Sequence, residues 1–479
     1  MTDAAAARDK RWIALILLCV AQFVVVLDAS IVNVALPTIG EALDFSESNL
    51  PWVVNAYVLT FGGFLLLGGR LADLLGRRRV FMAGLVLFAI ASLAGGLASN
   101  SGQLIAARAV QGLGAAILSP AALSIVATTF RDGAERNKAL GIWGAVAGSG
   151  GAAGVLLGGV LTESLGWEWV LWVNVPIGII AALIAPSLIA ETRDEGEVRH
   201  FDVAGAVTIT LSLSALVFGL LDAESAGWGS AQTIGTLVGS ALLLAAFIAI
   251  ERRSRAPLVP FSIFRIRTIT GANVVGTLTG ASLFSMFFFI SLYMQQVLGY
   301  SPIKAGLSYL PLAVSIILAA GIASQLVTKV GFKPVLAAGM ALIAGGLVWF
   351  SQISVDGTFL SDILGPSLLA AVGLGFAFVP VTIAAVSGIE DREQGLASGL
   401  INTSQQVGGA LGLAILAAVA NGIIGSSHEP AKLVEGFQSA FMVGAVFAAL
   451  GLLATLFLIR SSDSRAHVEL SNQLATEAD

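Results

Sequence analysis

Residues 12–36 read WIALILLCVAQFVVVLDASIVNVAL, and Asp28 is the only acidic or basic residue among them. A helix needs about 20 apolar residues to cross the roughly 30 Å of hydrocarbon in a bilayer. The run is too long for the core of a signal peptide, and no small-residue cleavage site follows it, so it is expected to persist as a membrane-spanning helix.

Thirteen similar runs follow. They fall at about 51–71, 80–99, 104–128, 139–162, 170–190, 203–221, 233–250, 269–294, 306–327, 335–353, 363–387, 396–424 and 437–459. The length of 479 residues alone would suggest about three soluble domains. Composition overrides that expectation. Apolar residues make up 56% of the chain and charged residues 11%, against roughly a quarter charged in soluble proteins. So little polar material cannot coat a water-facing surface, which excludes a soluble enzyme, a nucleic-acid binder and a disordered chain. The net charge of −5 says little, because placement matters more than the sum. The single cysteine, Cys19, lies inside an apolar run, and the three histidines are not paired at ligand spacing. Neither a disulfide framework nor a metal site is therefore expected. No G-x-x-x-x-G-K-[ST] stretch is present, so no nucleotide motor and no cofactor are expected.

Basic residues are retained on the cytoplasmic side of a membrane. With the N-terminus placed inside and fourteen helices counted, 22 of the 25 Lys and Arg fall in cytoplasmic segments, among them Arg70 to Arg79, Arg131 to Lys138, Arg193, Arg199 and Arg252 to Arg267. Only Lys304 and Lys432 lie outside, and Arg108 lies within a span. A helix miscounted by one would scramble this asymmetry. Both termini are thus expected to be cytoplasmic.

An internal repeat organises the spans. Leu43-Asp44-Phe45-Ser46 recurs as Leu298-Gly299-Tyr300-Ser301, Gly76 as Gly331, Gly112-Leu113-Gly114 as Gly373-Leu374-Gly375, and Gly150-Gly151-Ala152-Ala153-Gly154 as Gly408-Gly409-Ala410-Leu411-Gly412. The matches are in order at nearly one offset, as expected of a transporter built from parallel halves. The expected layout is an N-terminal six-helix half over 1–199, two inserted helices over 200–254, a C-terminal six-helix half over 255–462 and a cytoplasmic tail over 463–479. At these offsets the mate of Asp28 is Leu283, and that of Arg108 is Leu368 or Leu369. Membrane-embedded charge therefore belongs to the first half. The second half is left to shape a pocket, with Phe284, Phe287, Phe288, Phe289 and Tyr293 on its first helix.

Asp28 lies about 8 residues from the outer end of its helix, hence ~12 Å deep. A carboxylate is costly there unless it is paired or protonated, so it reads either as a proton carrier or as a permanently paired packing residue. Arg108 enters the fourth helix at comparable depth, with Gln111 and Gly112 on its face. It reads either as the partner that sets the charge of Asp28 or as a side chain reaching back to the interface. The loop Gly69-Arg70-Leu71-Ala72-Asp73-Leu74-Leu75-Gly76-Arg77-Arg78-Arg79 is a tight turn with topology-setting arginines. Those roles leave Asp73 unexplained, and its available partners are Arg77 or a neighbouring helix N-terminus, with a gating role if those contacts break. Gly150, Gly154 and Gly158 form a ridge for close helix approach. Asn33, Asn55, Tyr57, Asn174, Asn273, Phe287, Asn402, Gln405 and Gln406 read either as lining of a central cavity or as interhelical hydrogen-bonding and packing groups.

The chain resembles the major facilitator superfamily, and within it the fourteen-helix drug/proton antiporters of the QacA and EmrB type. LDASIVNVALP is similar to the first-helix motif of that family, which would make Asp28 the proton-linked acid. GRLADLLGRRR resembles the superfamily loop motif and implies gating roles for Gly69, Asp73, Gly76 and Arg77. RAVQGLGAA resembles the fourth-helix motif and implies coupling roles for Arg108 and Gln111. The chain departs from the pattern at Val155, where the fifth-helix motif has a proline, and at Glu168, where an arginine is usual; without the proline a kink is not expected. The resemblance implies an all-α membrane protein with two six-helix halves, a two-helix insertion and fourteen transmembrane helices. The expected function is export of amphipathic or lipophilic compounds by proton antiport across the plasma membrane, with proton-coupled uptake, a lipid or metabolite substrate, or a non-transporting membrane subunit as alternatives. The expected partners are the lipid bilayer, protons and a small amphipathic substrate, with no nucleic acid, and the expected state is a monomer.

Overall fold

The structure, a computed structural model, describes residues 2–45, 49–130, 133–191, 202–254, 257–425 and 429–476. Ser46, Arg131, Arg193, Arg199 and Arg255 lie outside the described residues, as does the side chain of Phe284. Every regular element among the described residues is helical. In chain order they are α1 (Thr2–Ala42), α2 (Trp52–Leu75), α3 (Arg77–Gly96), α4 (Ser101–Thr129), α5 (Ala134–Ser164), α6 (Trp169–Trp172), α7 (Asn174–Leu188), α8 (Val203–Ala226), α9 (Ala231–Glu251) and α10 (Arg267–Leu292). They continue as α11 (Pro302–Ser308), α12 (Leu310–Val330), α13 (Phe332–Phe350), α14 (Gly365–Val386), α15 (Gln394–Ile424), α16 (Pro430–Leu458) and α17 (Ser461–Thr476). Among the described residues, thirteen helical stretches are long and apolar enough to cross a membrane, and the bent α5 makes a fourteenth. Helix is the only economical solution for these runs, since hydrocarbon offers no partner to an exposed N–H or C=O.

The 44° bend in α5, between Ala134–Gly151 and Ala153–Ser164, corrects the expectation drawn from the missing proline. Paired glycines at 150 and 151 supply the weakness that a proline would otherwise have supplied.

The chain divides into two units. One contains Met1–Phe130, Gly154–Ile263 and Gly388–Thr403, and the other contains Arg131–Ala153, Phe264–Ser387 and Ser404–Asp479. The chain passes between them five times, two of these inside an α-helix, within α5 and within α15.

In the first unit α3 and α4 cross closely. A Cβ at Gly114 would lie 2.7 Å from the Phe88 nitrogen and 3.1 Å from the Gly84 oxygen. In the second unit α13 and α14 repeat the crossing: a Cβ at Gly373 would lie 2.7 Å from the Ile343 nitrogen and 2.9 Å from the Gly339 oxygen. The repeat is thus written into packing, but with a corrected register. Gly114 pairs with Gly373 rather than with Gly375, and the mate of Arg108 becomes Ser367. The second unit still carries no charge at that position.

The inserted helices α8 and α9 belong to the first unit. They are joined by reciprocal bonds, Ser212 Oγ to the Ser240 carbonyl at 2.9 Å and Ser240 Oγ to the Ser212 carbonyl at 2.8 Å. α8 packs on α2, where Trp52 stacks on Phe218 at 5.7 Å and Gly63 leaves room for Ser214.

In the second unit the described aromatics of α10 divide: Phe289 is buried, Phe287 half-buried and Phe288 41% exposed. Phe289 packs against Phe437 and Phe441, and the buried Tyr293 donates to the Ser354 carbonyl at 2.8 Å. α17 lies in the stretch read as a tail, and it is anchored through a buried polar face of Ser464, His467 and Ser471. Ser464 Oγ accepts the Lys333 N–H at 3.2 Å, and His467 Nε2 lies 3.0 Å from Asn137 Oδ1.

Candidate functional site

Four helices and the start of a fifth bring their polar residues to one point inside the first unit. Asp28 of α1, Arg108 of α4 and Asn174 of α7 are each 0% exposed, and Gln111 of α4 is 1% exposed. The question left open by sequence, whether the acid and the base touch, has a direct answer: Arg108 Nη1 is 2.5 Å from Asp28 Oδ2. The guanidinium does not reach for the interface. Its Nε donates to the Val53 carbonyl at 2.9 Å, and its plane lies over the Tyr57 ring at 4.4 Å. The second carboxylate oxygen accepts from Gln111 Nε2 at 2.7 Å and from Asn174 Nδ2 at 2.8 Å. Gln111 also accepts from Arg108 Nη1 and donates to Ser92 Oγ, both at 2.7 Å. The i, i+3 spacing of Arg108 and Gln111 is what places both on the α1-facing side of α4.

Close helix approach makes this geometry possible. A Cβ at Gly112 would overlap the Tyr57 carbonyl, so only glycine lets α4 seat against α2. Tyr57 then reaches across to α1, donating its hydroxyl to the Val25 carbonyl at 3.2 Å. A dry ion pair of this kind is stabilised only if its remaining hydrogen-bonding capacity is met, and here it is met almost fully. Arg108 Nη2 and Asn174 Oδ1 are the exceptions.

A second constellation closes one end of α2. Asp73 is nearly buried, its side chain 3% exposed. One carboxylate oxygen accepts the Gly395 N–H at 2.9 Å and the other the Leu396 N–H at 2.8 Å. These amides belong to the first turn of α15, so the carboxylate sits at a helix N-terminus, where partial positive charge favours an anion. Arg77 donates to Asp73 at 3.0 Å and also to the Asp391 carbonyl. Both of the alternative partners for Asp73 are therefore engaged at once. Gly69 allows this approach, since a Cβ there would overlap the Gly395 carbonyl. Gly76 turns the chain from α2 into α3 at φ 102°, which a side chain would strain.

The remaining candidate residues are dispersed. Gly154 and Gly158 seat α5 on α1 beside Ser30 and Ile31, and Gly150 is buried. Asn33 is exposed and donates to the Ala29 carbonyl of its own helix at 3.2 Å. Asn55 is half-buried. Tyr57 and Asn174 join the Asp28 cluster. Asn273 donates to the Ile269 carbonyl and accepts from Ser404 Oγ, both at 2.9 Å. Phe287 packs against Tyr309 with ring centroids 5.6 Å apart and tilted by 33°. Gln405 and Gln406 are half-buried, and Asn402 has a buried Nδ2 without a partner.

Sequence reasoning missed Ser92 and the polar pair beneath the cluster, Ser119 donating to Gln22 at 2.9 Å. It also missed Glu251, 4% exposed, whose carboxylate accepts the Leu258 and Val259 N–H groups. An acid closing an apolar run just before Arg252 and Arg253 was the available signal for the last.

A family model described as the Major Facilitator Superfamily matches residues 18–413. The cephamycin export protein of Amycolatopsis lactamdurans is 44% identical over 91% of this chain and 90% of its own length. The puromycin resistance protein of Streptomyces alboniger is 38% identical over 94% and 90% respectively. The crystal structure of the human organic anion transporter MFSD10 superposes with a TM-score of 0.69 over 93% of this chain and 99% of that one, at 15% identity, a likeness of fold alone. These matches remove the non-transporting subunit from consideration. The chain belongs to the major facilitator superfamily, and it is a multi-pass transporter of the plasma membrane, not an enzyme.

Proposed function

We propose that the protein exports small amphipathic or lipophilic compounds, drugs and antibiotics among them, in exchange for protons. The names of its relatives support the export of such compounds. The observation that carries the proton half of the reading is the ion pair between Asp28 and Arg108, wholly buried in a lipid-spanning unit. A carboxylate that gains a proton there leaves Arg108 uncompensated and the cluster one charge more positive. Protonation and the packing of α1 against α4 are therefore coupled. The bonds from Asp73 and Arg77 to the start of α15 act as a gate, broken once in each cycle. Gln111 steadies both members of the ion pair, and the ridge of Gly150, Gly154 and Gly158 gives α5 a smooth seam. Asn33, Asn55, Asn273, Phe287, Asn402, Gln405 and Gln406 are the proposed contacts to substrate.

The distribution of basic residues supports cytoplasmic termini, with two six-helix halves over 1–199 and 255–462, an insertion over 200–254 and a tail over 463–479. The proposed working form is a monomer. Voltage alone supplies ~2.3 kcal/mol per charge per 100 mV.

Purified protein in proteoliposomes, given an imposed pH gradient and puromycin or ethidium as probe, tests the reading. Wild-type protein should drive the probe against proton flow, and Asp28→Asn should fold yet lose pH-driven export. Coupled export by Asp28→Asn at the wild-type rate discards the role of Asp28, and flux driven by the opposite gradient reassigns the protein to uptake.

A further inference from the structure

The four polar neighbours of Asp28 differ in what they can still offer it. Arg108 carries donors only. Gln111 has committed its oxygen to Arg108 and its nitrogen to Asp28 and Ser92. Tyr57 directs its hydroxyl to the Val25 carbonyl. Asn174 donates Nδ2 to Asp28 Oδ1 at 2.8 Å, yet its own Oδ1 accepts no hydrogen bond although the residue is 0% exposed. The orientation of the amide follows from chemistry, because only its NH2 can bond an ionised carboxylate. A buried acceptor left unmatched is costly, and this one sits beside a group that acquires a donor when it binds a proton.

We propose that Asn174 is a positioning residue that follows the proton on Asp28. Its amide donates to the carboxylate and, after turning over about its terminal bond, accepts from the carboxylic acid. The inference rests on the reading of Asp28 as the proton carrier. The step is balanced simply: a hydronium ion breaks one O–H bond and leaves as water, an O–H bond forms at Asp28 Oδ1, no other covalent bond changes, and Arg108 keeps its charge. Gln111 continues to donate to the same carboxyl group while Asn174 presents its oxygen to the new O–H. Asp28 thus keeps Asn174 as a partner in each protonation state, and the acid does not need to leave its place to change charge. Sequence position suits the task. α6 and α7 meet at Val173, so Asn174 opens α7 on a helix start rather than on a loose loop.

Infrared titration of the protein in lipid nanodiscs tests the inference without any substrate. The Asp28 band is the protonated-carboxyl C=O stretch that disappears in Asp28→Asn. In wild-type protein carrying 13C-labelled asparagine, the Asn174 side-chain amide band, identified by its loss in Asn174→Leu or in Asn174→Thr, should change with the same midpoint as the Asp28 band. An Asn174 band indifferent to pH overturns the inference, and so does one that changes at a different pH from the Asp28 band. Absence of any Asp28-dependent band between about pH 4 and pH 10 instead overturns the proton-carrier reading beneath it.

Discussion

Removing the Asp73 carboxylate should release the first turn of α15. In the intact protein the two oxygens accept the Gly395 and Leu396 N–H groups, at 2.9 and 2.8 Å, and one also meets Arg77 at 3.0 Å. A hydrogen bond to a charged group contributes about 1.5–3 kcal/mol, and the i, i+4 pair with Arg77 about 0.3–0.5 kcal/mol. Neighbouring terms do not add fully, so a total of ~3 kcal/mol is a conservative sum. That corresponds to roughly a hundredfold change in the local opening equilibrium. Amide hydrogen exchange reports local opening directly. In Asp73→Ala the Gly395 and Leu396 amides should exchange on the order of a hundred times faster than in wild-type protein. Asp73→Asn keeps one acceptor oxygen and should fall between the two, while amides in the middle of α15 should change far less. Wild-type exchange rates at Gly395 and Leu396 in Asp73→Ala would refute the reasoning, because those two bonds would then contribute nothing to the closed end.

Arg108→Leu should destabilise the protein by about 3–5 kcal/mol, because it strands a buried carboxylate, and adding Asp28→Asn should recover much of the loss. Thermal unfolding in detergent checks both, and an Arg108→Leu protein as stable as wild type would contradict the burial argument. Gly154→Leu should disrupt the seating of α5 on Ser30 and Leu27 at a cost of about 1–3 kcal/mol or more. Gly235→Ala, at an α9 glycine with nothing within 4 Å, should be silent in the same assay. Equal effects of the two substitutions would show that close approach at Gly154 is not what glycine serves there.

Much of this protein is legible in one dimension. Hydrocarbon solvent leaves a span only one way to satisfy its backbone, so apolar run length alone placed the helices. The same solvent makes every embedded charge conspicuous, which is why Asp28 and Arg108 stood out before any contact was known. Asp73 stood out because it was an acid that topology did not need.

Which atoms meet was not legible, because contacts across sixty to several hundred residues depend on helix rotation and depth. Asn174 lies 146 positions from Asp28 and resembled any other polar residue at the start of a span; only the crossing of α1, α4 and α7 makes it a partner of the carboxylate. The register of the repeat shows the same limit. A Gly-Leu-Gly match favoured one alignment of the fourth helices, and close packing of Gly114 and Gly373 chose another, two residues away. The bend in α5 appeared without its proline. Phe289 of α10 turned inward because α16 offered rings to meet it, while its neighbour Phe288 stayed exposed. Sequence determined the membrane, the helices and the few residues costly enough to demand a reason. Tertiary structure alone decided the company those residues keep, since hydrogen bonds and close packing are set over a few ångströms that chain spacing does not encode.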